Sequence, residues 1–366
     1  MKVVQICKYR NTNVEGVDLF EEVIRSAEGH ERSFYILNGD AGDLAERLGC
    51  ETQAFHLSKS DIKRIRPSAV LRVFQQLRRD RPDVIVTHRI KPAVFATWAS
   101  LLLGRRVRKI AVIHNMSEFK KPRRFWFARL MMRDWVFVGC SEAVRDDMLA
   151  RGFPPERTVA VPNAVDERIV RNHLLPREEA RRDLGVPEDA ERVIGTVGRM
   201  RPVKGHHFFI DAMKEMSNPP YVVVIGDGET LEPLRQSARE AGLEHRLIFA
   251  GGRRNAYRYV SAFDAFIMPS LREGLPIAIL EAIAAGVPVF GTPVGGIPEI
   301  LRSPEWLFPK EDVPALRDKL TWLGDCDAAE LDAVYRSQYQ VFRQDFSIDR
   351  YHARFLALME GRPQPE

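Results

Sequence analysis

Short runs of β-branched residues, most of them followed by a segment of helix length, set the strongest limit on how this chain can fold. In the first half the runs are "KVVQIC" (2–7), "FYIL" (34–37), "DVIVTH" (83–88), "RKIAVIH" (108–114), "WVFVGCS" (135–141) and "TVAVPN" (158–163). Segments such as "VDLFEEVIRSA" and "SEAVRDDMLARG" lie between them. Near-continuous apolar strands alternating with helices predict a parallel sheet covered by helices on both faces. The alternation breaks at 166–192, "DERIVRNHLLPREEARRDLGVPEDAER", a charged stretch with two prolines that reads as a linker with a short helix. It then restarts with "VIGTVG" (193–198), "YVVVIGDG" (221–228), "RLIFAGG" (246–252), "AFIMPS" (265–270) and "VPVFGTP" (287–293). The expectation is α/β, with two Rossmann-like doubly wound domains in series, residues 1–165 and 166–349. A helical tail over about 350–366 would pack back on the first. A chain of 366 residues is long for a single core, which agrees.

Composition excludes several classes. With 45% hydrophobic and 29% charged residues the chain reads as a soluble globular protein. The apolar run after Lys2 is too short for a signal peptide. The longest apolar stretch, "AVFATWASLLLG" (93–104), falls well below the ~20 residues that span a bilayer and reads as a buried helix. Cys7, Cys50, Cys140 and Cys326 form no CxxC pair, which argues against zinc and against a disulfide framework. That usage suits a reducing cytoplasm.

Charge is uneven. Residues 1–165 carry 29 Lys and Arg against 19 Asp and Glu, whereas 166–366 carry 26 against 31. Between Lys59 and Arg133 there are 20 basic and 4 acidic residues. Such an excess suits an anionic membrane surface, an anionic acceptor or nucleic acid, and also ordinary solvated helix faces. In "SEFKKPRRFWFARLMMRDW" (117–135) six basic residues alternate with Phe, Trp, Leu and Met, a pattern of interfacial segments or of a packed helix with a basic outer face.

The stretch "SLREGLPIAILEA" (270–282) joins a strand to a helix. Pro276 fits the first helical position and Gly286 the position past the end. The free N–H groups of the first turn would then open at the carboxyl end of a parallel sheet, where open α/β folds bind ligands and a helix N-terminus suits a phosphate. Glu273 stands before the helix and Glu281 eight residues on, about 12 Å if the rise were helical throughout. Two carboxylates so placed suit a ligand with hydroxyls at both ends, such as a nucleoside diphosphate sugar. They equally suit an acid favoured by the helix dipole and a solvent-exposed partner. The apolar neighbours of Glu281 argue against a freely solvated face.

In "GTVGRMRPVKGH" (195–206), Gly198 allows close backbone approach, and Arg199 and Lys204, five apart in a loop, can converge on one anion as solvent-facing cations. "VVVIGDGE" (222–229) holds half of a dinucleotide fingerprint; its third glycine is missing, so a tight strand-to-helix turn is the better reading and a dehydrogenase is disfavoured. His114 closes "AVIH", at a strand end of the first domain. Asp325 and Asp327 form a D-x-D, read as a helix cap before "AAEL" rather than a metal site.

Together these motifs resemble the retaining glycosyltransferases of family four, with the two-Rossmann GT-B architecture in which the domains face a cleft. The likeness runs through "VPNAV", "IGTVGRMRPVKGH", "VVVIGDGE", "IFAGGRRNAYRYVSAFDAFIMPS", "REGLPIAILEAIAAGVPV" and "GTPVGGIPEIL". It implies that Arg199 and Lys204 hold the donor diphosphate in place of a metal. It implies N–H donors at Gly274 and Leu275, with Gly198 in the same loop set, and Glu273 on the donor sugar. It also implies Glu281 on the ribose, Arg253 and Asn255 beside the base, and His114 near the sugar. Two departures stand out. The first loop, "KYRNTNVEG", has only Gly16 where many members carry a glycine pair on the acceptor side, and the usual Asn-Gly before the linker is Asn163-Ala164.

The expectation is therefore a cytoplasmic, metal-independent retaining glycosyltransferase, with no cofactor beyond its co-substrate. A nucleotide sugar, most simply a UDP-hexose or UDP-N-acetylhexosamine, would be the donor. A saccharide or lipid-linked saccharide, such as a lipopolysaccharide core, would be the acceptor, met peripherally at the inner membrane face. A nucleotide-sugar epimerase on the same fold, or a non-catalytic module binding nucleotide sugar or nucleic acid, is the alternative. Nucleic acid leaves a diphosphate clamp without purpose.

Overall fold

A computed structural model describes residues 1–9, 19–116 and 118–365. The chain divides into two compact units. The first holds the described residues of 1–163 together with 349–365, and the second runs Ala164–Ile348.

The first unit is built on seven parallel strands: β1 (Lys2–Cys7), β2 (Glu31–Ile36), β3 (Glu51–Ala54), β4 (Val84–His88), β5 (Arg108–Ile113), β6 (Trp135–Gly139) and β7 (Thr158–Ala160), in the order β3-β2-β1-β4-β5-β6-β7. All five residues of β4 are buried, as its unbroken "VIVTH" requires of a strand covered on both faces. β3, "ETQA", is not visible as an apolar run. It is the edge strand and its last three residues are only half-buried, so nothing selects for a hydrophobic pattern there.

The second unit has five parallel strands: β8 (Val193–Val197), β9 (Tyr221–Ile225), β10 (Leu247–Gly251), β11 (Ala265–Met268) and β12 (Val289–Gly291), in the order β10-β9-β8-β11-β12. Phe209, Val222, Val224, Ile267, Phe290 and Leu320 belong to its core. Strand order reverses between β1 and β4 in one unit and between β8 and β11 in the other. The carboxyl ends at such switch points are where open α/β sheets receive ligands. Several strands stop short of the runs read from sequence. β8 ends before Gly198 and β11 before Pro269 and Ser270, so those residues belong to loops at the ligand-facing edge.

Residues 166–192 are not a linker. They form two helices, Glu167–His173 and Arg177–Leu184, within the second unit. Asp166 caps the first by accepting the Arg168 N–H at 2.9 Å. Arg177 and Arg181 of the second both reach Asp264, at 2.7 and 3.0 Å, and Ala180 and Leu184 are buried. The charges that suggested a linker are thus spent on anchoring. The last helix, Ile348–Glu360, lies in the first unit, where Arg108 Nη1 donates to the Leu358 carbonyl at 3.2 Å and His352 meets Glu22 at 2.8 Å.

The helix Ile90–Leu101 is buried over most of its length, but its end is not: Trp98 is 41% exposed and Leu101 57%. Among the described residues no helix is long and apolar enough to cross a membrane.

Candidate functional site

The loops after β8 and β11, neighbours at the switch point, carry most of the motif residues. Beyond β8 the chain passes Gly198 and Arg199 and enters a short 3-10 turn, Pro202–Lys204. The loop after β9 presses against it: the Met200 N–H donates to the Asp227 carbonyl at 2.9 Å, and a Cβ at Gly226 would lie 1.8 Å from the Gly198 carbonyl oxygen. Only glycine permits that approach, so the "GDG" turn serves packing of this loop. The Leu271 N–H then donates to the Val203 carbonyl at 2.9 Å, which ties the β8 loop to the β11 loop.

That tie brings Lys204 to Glu273. Nζ lies 2.6 Å from Oε1, and Ser270 Oγ donates to the same oxygen at 2.6 Å. Lys204 is therefore half-buried and engaged, not the solvent-facing cation expected from its loop. Arg199 is exposed, and among the described residues its guanidinium has no protein partner. The β12 side braces the same loop: Gly296 N–H donates to the Gly274 carbonyl at 2.6 Å, and Gly295, at φ +56°, would place a Cβ 2.2 Å from the Glu273 carbonyl oxygen.

Pro276 is the residue before the helix, not its first position; the helix is Ile277–Ala284. Residues 274–276 are thus not helical, and the spacing from Glu273 to Glu281 is not one continuous helical rise. Gly274 and Leu275 are both buried at this entrance. Glu281 is half-buried on that helix, and no cation or hydrogen-bond donor among the described residues meets its carboxylate. Burial alone pushes it up to about 7. The nearby Glu281 charge adds to the burial that raises Tyr257. Tyr257 lies in the 3-10 segment Ala256–Ala262, which packs against the helix carrying Glu281. Asn255 opens that segment in the left-handed region, φ 54°. Arg253 is committed locally, donating to the Ala250 carbonyl at 2.7 Å and the Asp183 carbonyl at 3.3 Å.

In the first unit His114 follows β5 and is half-buried. It is not a lone histidine. His88, the last residue of β4 and 1% exposed, places Nδ1 3.0 Å from His114 Nε2. Phe20 covers both rings, at 4.3 and 5.0 Å between centroids. Burial, reinforced by the Arg89 charge, drives His114 down to about 3, and His88 is lowered well below the ordinary histidine value. Both are neutral near pH 7.

Sequence reasoning missed Ser270, His88 and Gly295. The signal for His88 is visible afterwards: the runs "VIVTH" and "AVIH", which form adjacent strands, both close on histidine. Gly16 lies outside the described residues. Asp327 caps the helix Ala328–Asp345 in a reciprocal box with Glu330, as its position before "AAEL" suggests. A cavity of about 570 Å³ opens where β8 and β9 begin, lined by Arg192, Tyr221, Arg246 and several acids. It holds Asp325 of the D-x-D but none of the residues assigned to the donor, and its charges are partly self-paired, as in Arg317–Glu215 at 3.0 Å.

Two family models match the chain: Glycosyltransferase Family 4 over residues 23–168 and Glycosyl transferases group 1 over 176–339. A 2-deoxystreptamine N-acetyl-D-glucosaminyltransferase of Streptomyces fradiae is 33% identical over 68% of this chain and 64% of its own length. The chain thus spans less than two thirds of that relative. An Escherichia coli UDP-Gal:alpha-D-GlcNAc-diphosphoundecaprenol alpha-1,3-galactosyltransferase is 23% identical over 70% of each chain. The crystal structure of Anabaena HepE in complex with UDP and glucose superposes with a TM-score of 0.84, covering 99% of this chain and 100% of that one at 19% identity, which bears on the fold alone. With both halves matched and two parallel-sheet α/β units in the fold, the chain belongs to glycosyltransferase family four, of the GT-B fold.

Proposed function

We propose that this protein is a metal-independent, retaining glycosyltransferase that moves a hexose or N-acetylhexosamine from a UDP-sugar to a saccharide or lipid-linked saccharide. The observation that carries the reading is the cluster at the β8/β11 switch point. There the uncommitted Arg199, the Lys204–Glu273 pair and the entrance at Gly274 stand at one sheet edge. Arg199 and Lys204 would hold the diphosphate, the arginine by paired N–H groups and the lysine as a point charge. Backbone N–H groups at Gly274 and Leu275 would add donors at a helix entrance. Glu273, released as Lys204 turns to phosphate, would accept from hydroxyls of the donor sugar. Glu281 would accept from the ribose, next to the base-side segment of Arg253 and Asn255.

In the reaction the bond between the anomeric carbon and the β-phosphate oxygen breaks, and the acceptor oxygen bonds the same carbon from the same face. The acceptor proton passes to the departing phosphate, whose new charge falls on Arg199 and Lys204. His114, neutral, would contact the donor sugar as a hydrogen-bonding group rather than as a base.

The partner reading is an anionic membrane at the cytoplasmic face, where a lipid-linked acceptor such as a lipopolysaccharide core would be met. Its support is a coincidence of charge and apolar surface. Leu71, Trp98, Leu101, Leu102, Trp126 and Leu130 are, with Met1, the large hydrophobic side chains exposed among the described residues, and these six fall in the 59–133 segment with its 20 basic and 4 acidic residues.

The test is transfer from a panel of UDP-, GDP- and ADP-sugars in EDTA, with the anomeric configuration of the product read by NMR. Transfer from a UDP-sugar with retained configuration is expected. An inverted product, or strict dependence on Mn²⁺, overturns the mechanism.

A further inference from the structure

His88 is buried at the end of β4, carries no assigned role, and among the described residues its side chain hydrogen-bonds the ring of His114. The two planes are nearly parallel, at 18°, yet the centroids are 5.2 Å apart while the nitrogens are 3.0 Å apart. Rings that wide apart with nitrogens that close meet edge to edge, so an N–H on one lies along the lone pair of the other.

The protonation pattern follows from what surrounds each nitrogen. With both rings neutral, one proton lies between them. If His114 Nε2 donated, His88 would carry its own proton on Nε2. That atom is buried with no hydrogen-bond partner among the described residues, so an N–H there would lose its water and gain no acceptor from them. If His88 Nδ1 donates, its Nε2 is a bare lone pair and no donor is orphaned. His114 then accepts at Nε2 and carries its proton on Nδ1. The hydrogen bond at one imidazole nitrogen fixes the state of the other. Phe20 holds both rings in this arrangement. Arg89 is the charged side chain beside the pair, and it disfavours a second proton on either ring.

We propose that His88 is a positioning residue that locks His114 in the Nδ1–H tautomer, so that His114 offers a hydrogen-bond donor, and no proton acceptor, to the oxygen it meets. The role rests on the reading that His114 contacts the donor sugar. The tautomer itself does not.

Two variants and two readouts separate these claims. His88→Asn can present an amide N–H where Nδ1 stood, whereas His88→Phe fills the space with no donor. Long-range ¹H–¹⁵N spectra of histidine-labelled full-length protein should show His114 protonated on Nδ1 in the wild type and in His88→Asn, and mixed or reversed in His88→Phe. An Nε2–H tautomer of His114 in the wild type overturns the lock. In the transfer assay His88→Phe should lower kcat about tenfold or more with donor KM changed by less than about threefold, and His88→Asn should recover most of that loss. Equal activity of His88→Phe and wild type, with the tautomer as stated, overturns the contact with the sugar but leaves the lock standing. Melting temperatures of both variants close to wild type show that a loss is not misfolding.

Discussion

Lys204 Nζ stands 2.6 Å from Glu273 Oε1, on an oxygen that also accepts from Ser270 Oγ. The pair joins loops 69 residues apart and neutralises the lysine that a diphosphate would need. A half-buried pair of this kind gains little net stability, because desolvation offsets much of the attraction. In the proposed site an arriving phosphate, carrying more charge than a carboxylate, would therefore take the lysine and leave Glu273 free to accept sugar hydroxyls.

This exchange predicts opposite behaviour for two ligands. Glu273→Gln removes the competing charge, so UDP should bind as well as to wild type or up to several-fold tighter. The UDP-sugar, which loses its hydroxyl acceptor, should bind about tenfold weaker, a difference of about 1.4 kcal/mol. Isothermal titration with both ligands checks this. Equal losses on both would remove the assignment of Glu273 to the sugar.

Glu281 gives a pH dependence with a definite sign. Its carboxyl is raised to about 7 in the folded chain, from 4.5. Between those values the folded state holds a proton that the unfolded state has released, so its contribution to stability falls as pH rises from about 4.5 through 7. Glu281→Gln, which cannot ionise, should therefore be more stable than wild type at pH 8, by about 1–3 kcal/mol, and gain nothing at pH 4. Urea unfolding at the two pH values decides it.

Ligand binding runs the other way with pH. If Glu281 serves the ribose as proposed, its ionised carboxylate is the form that accepts the hydroxyls, so UDP-sugar affinity should climb toward pH 7 and level off above it. The same curve should be flat in Glu281→Gln. A UDP-sugar is the ligand to use because its diphosphate has no proton to lose in this range. A wild-type curve as flat as the variant's would show that Glu281 does not serve the ribose.

The helix Pro122–Met131 and the two lysines before it offer a further test. Arg124 is ion-paired to Glu118 at 3.0 Å, so removing it would strand a buried acid; Lys120, Lys121 and Arg123 are exposed. Each basic residue near an anionic surface is worth about 1 kcal/mol. Replacing those three by Gln and Trp126 by Ser should thus cut sedimentation with phosphatidylglycerol vesicles about 100-fold at low salt. High salt should release the wild type, and UDP binding should be unchanged. A variant that sediments like wild type would make this stretch only a helix face.

Local signals were the legible ones. The β8 and β11 loops and the helix with Glu281 announce themselves because strand, loop and helix follow within a dozen residues, each with its own periodicity. The partial burial of Glu281 is foreshadowed by "AIL" and "AIAA" on either side. What stayed hidden depends on distant residues. The Lys204–Glu273 contact needs the tie between Leu271 and Val203, and His88 meets His114 only because β4 and β5 are neighbours. The helices of 166–192 were misread because Arg177 and Arg181 look solvent-directed until Asp264, more than 80 residues away, is placed beside them.

Titration of UDP in EDTA tests most directly whether Arg199 and Lys204 hold a nucleoside diphosphate without a metal, as proposed. Wild type should bind; Arg199→Ala and Lys204→Ala should each bind at least tenfold more weakly, with unchanged circular dichroism. Equal affinity in all three proteins, or binding by wild type only when Mn²⁺ is restored, would contradict it.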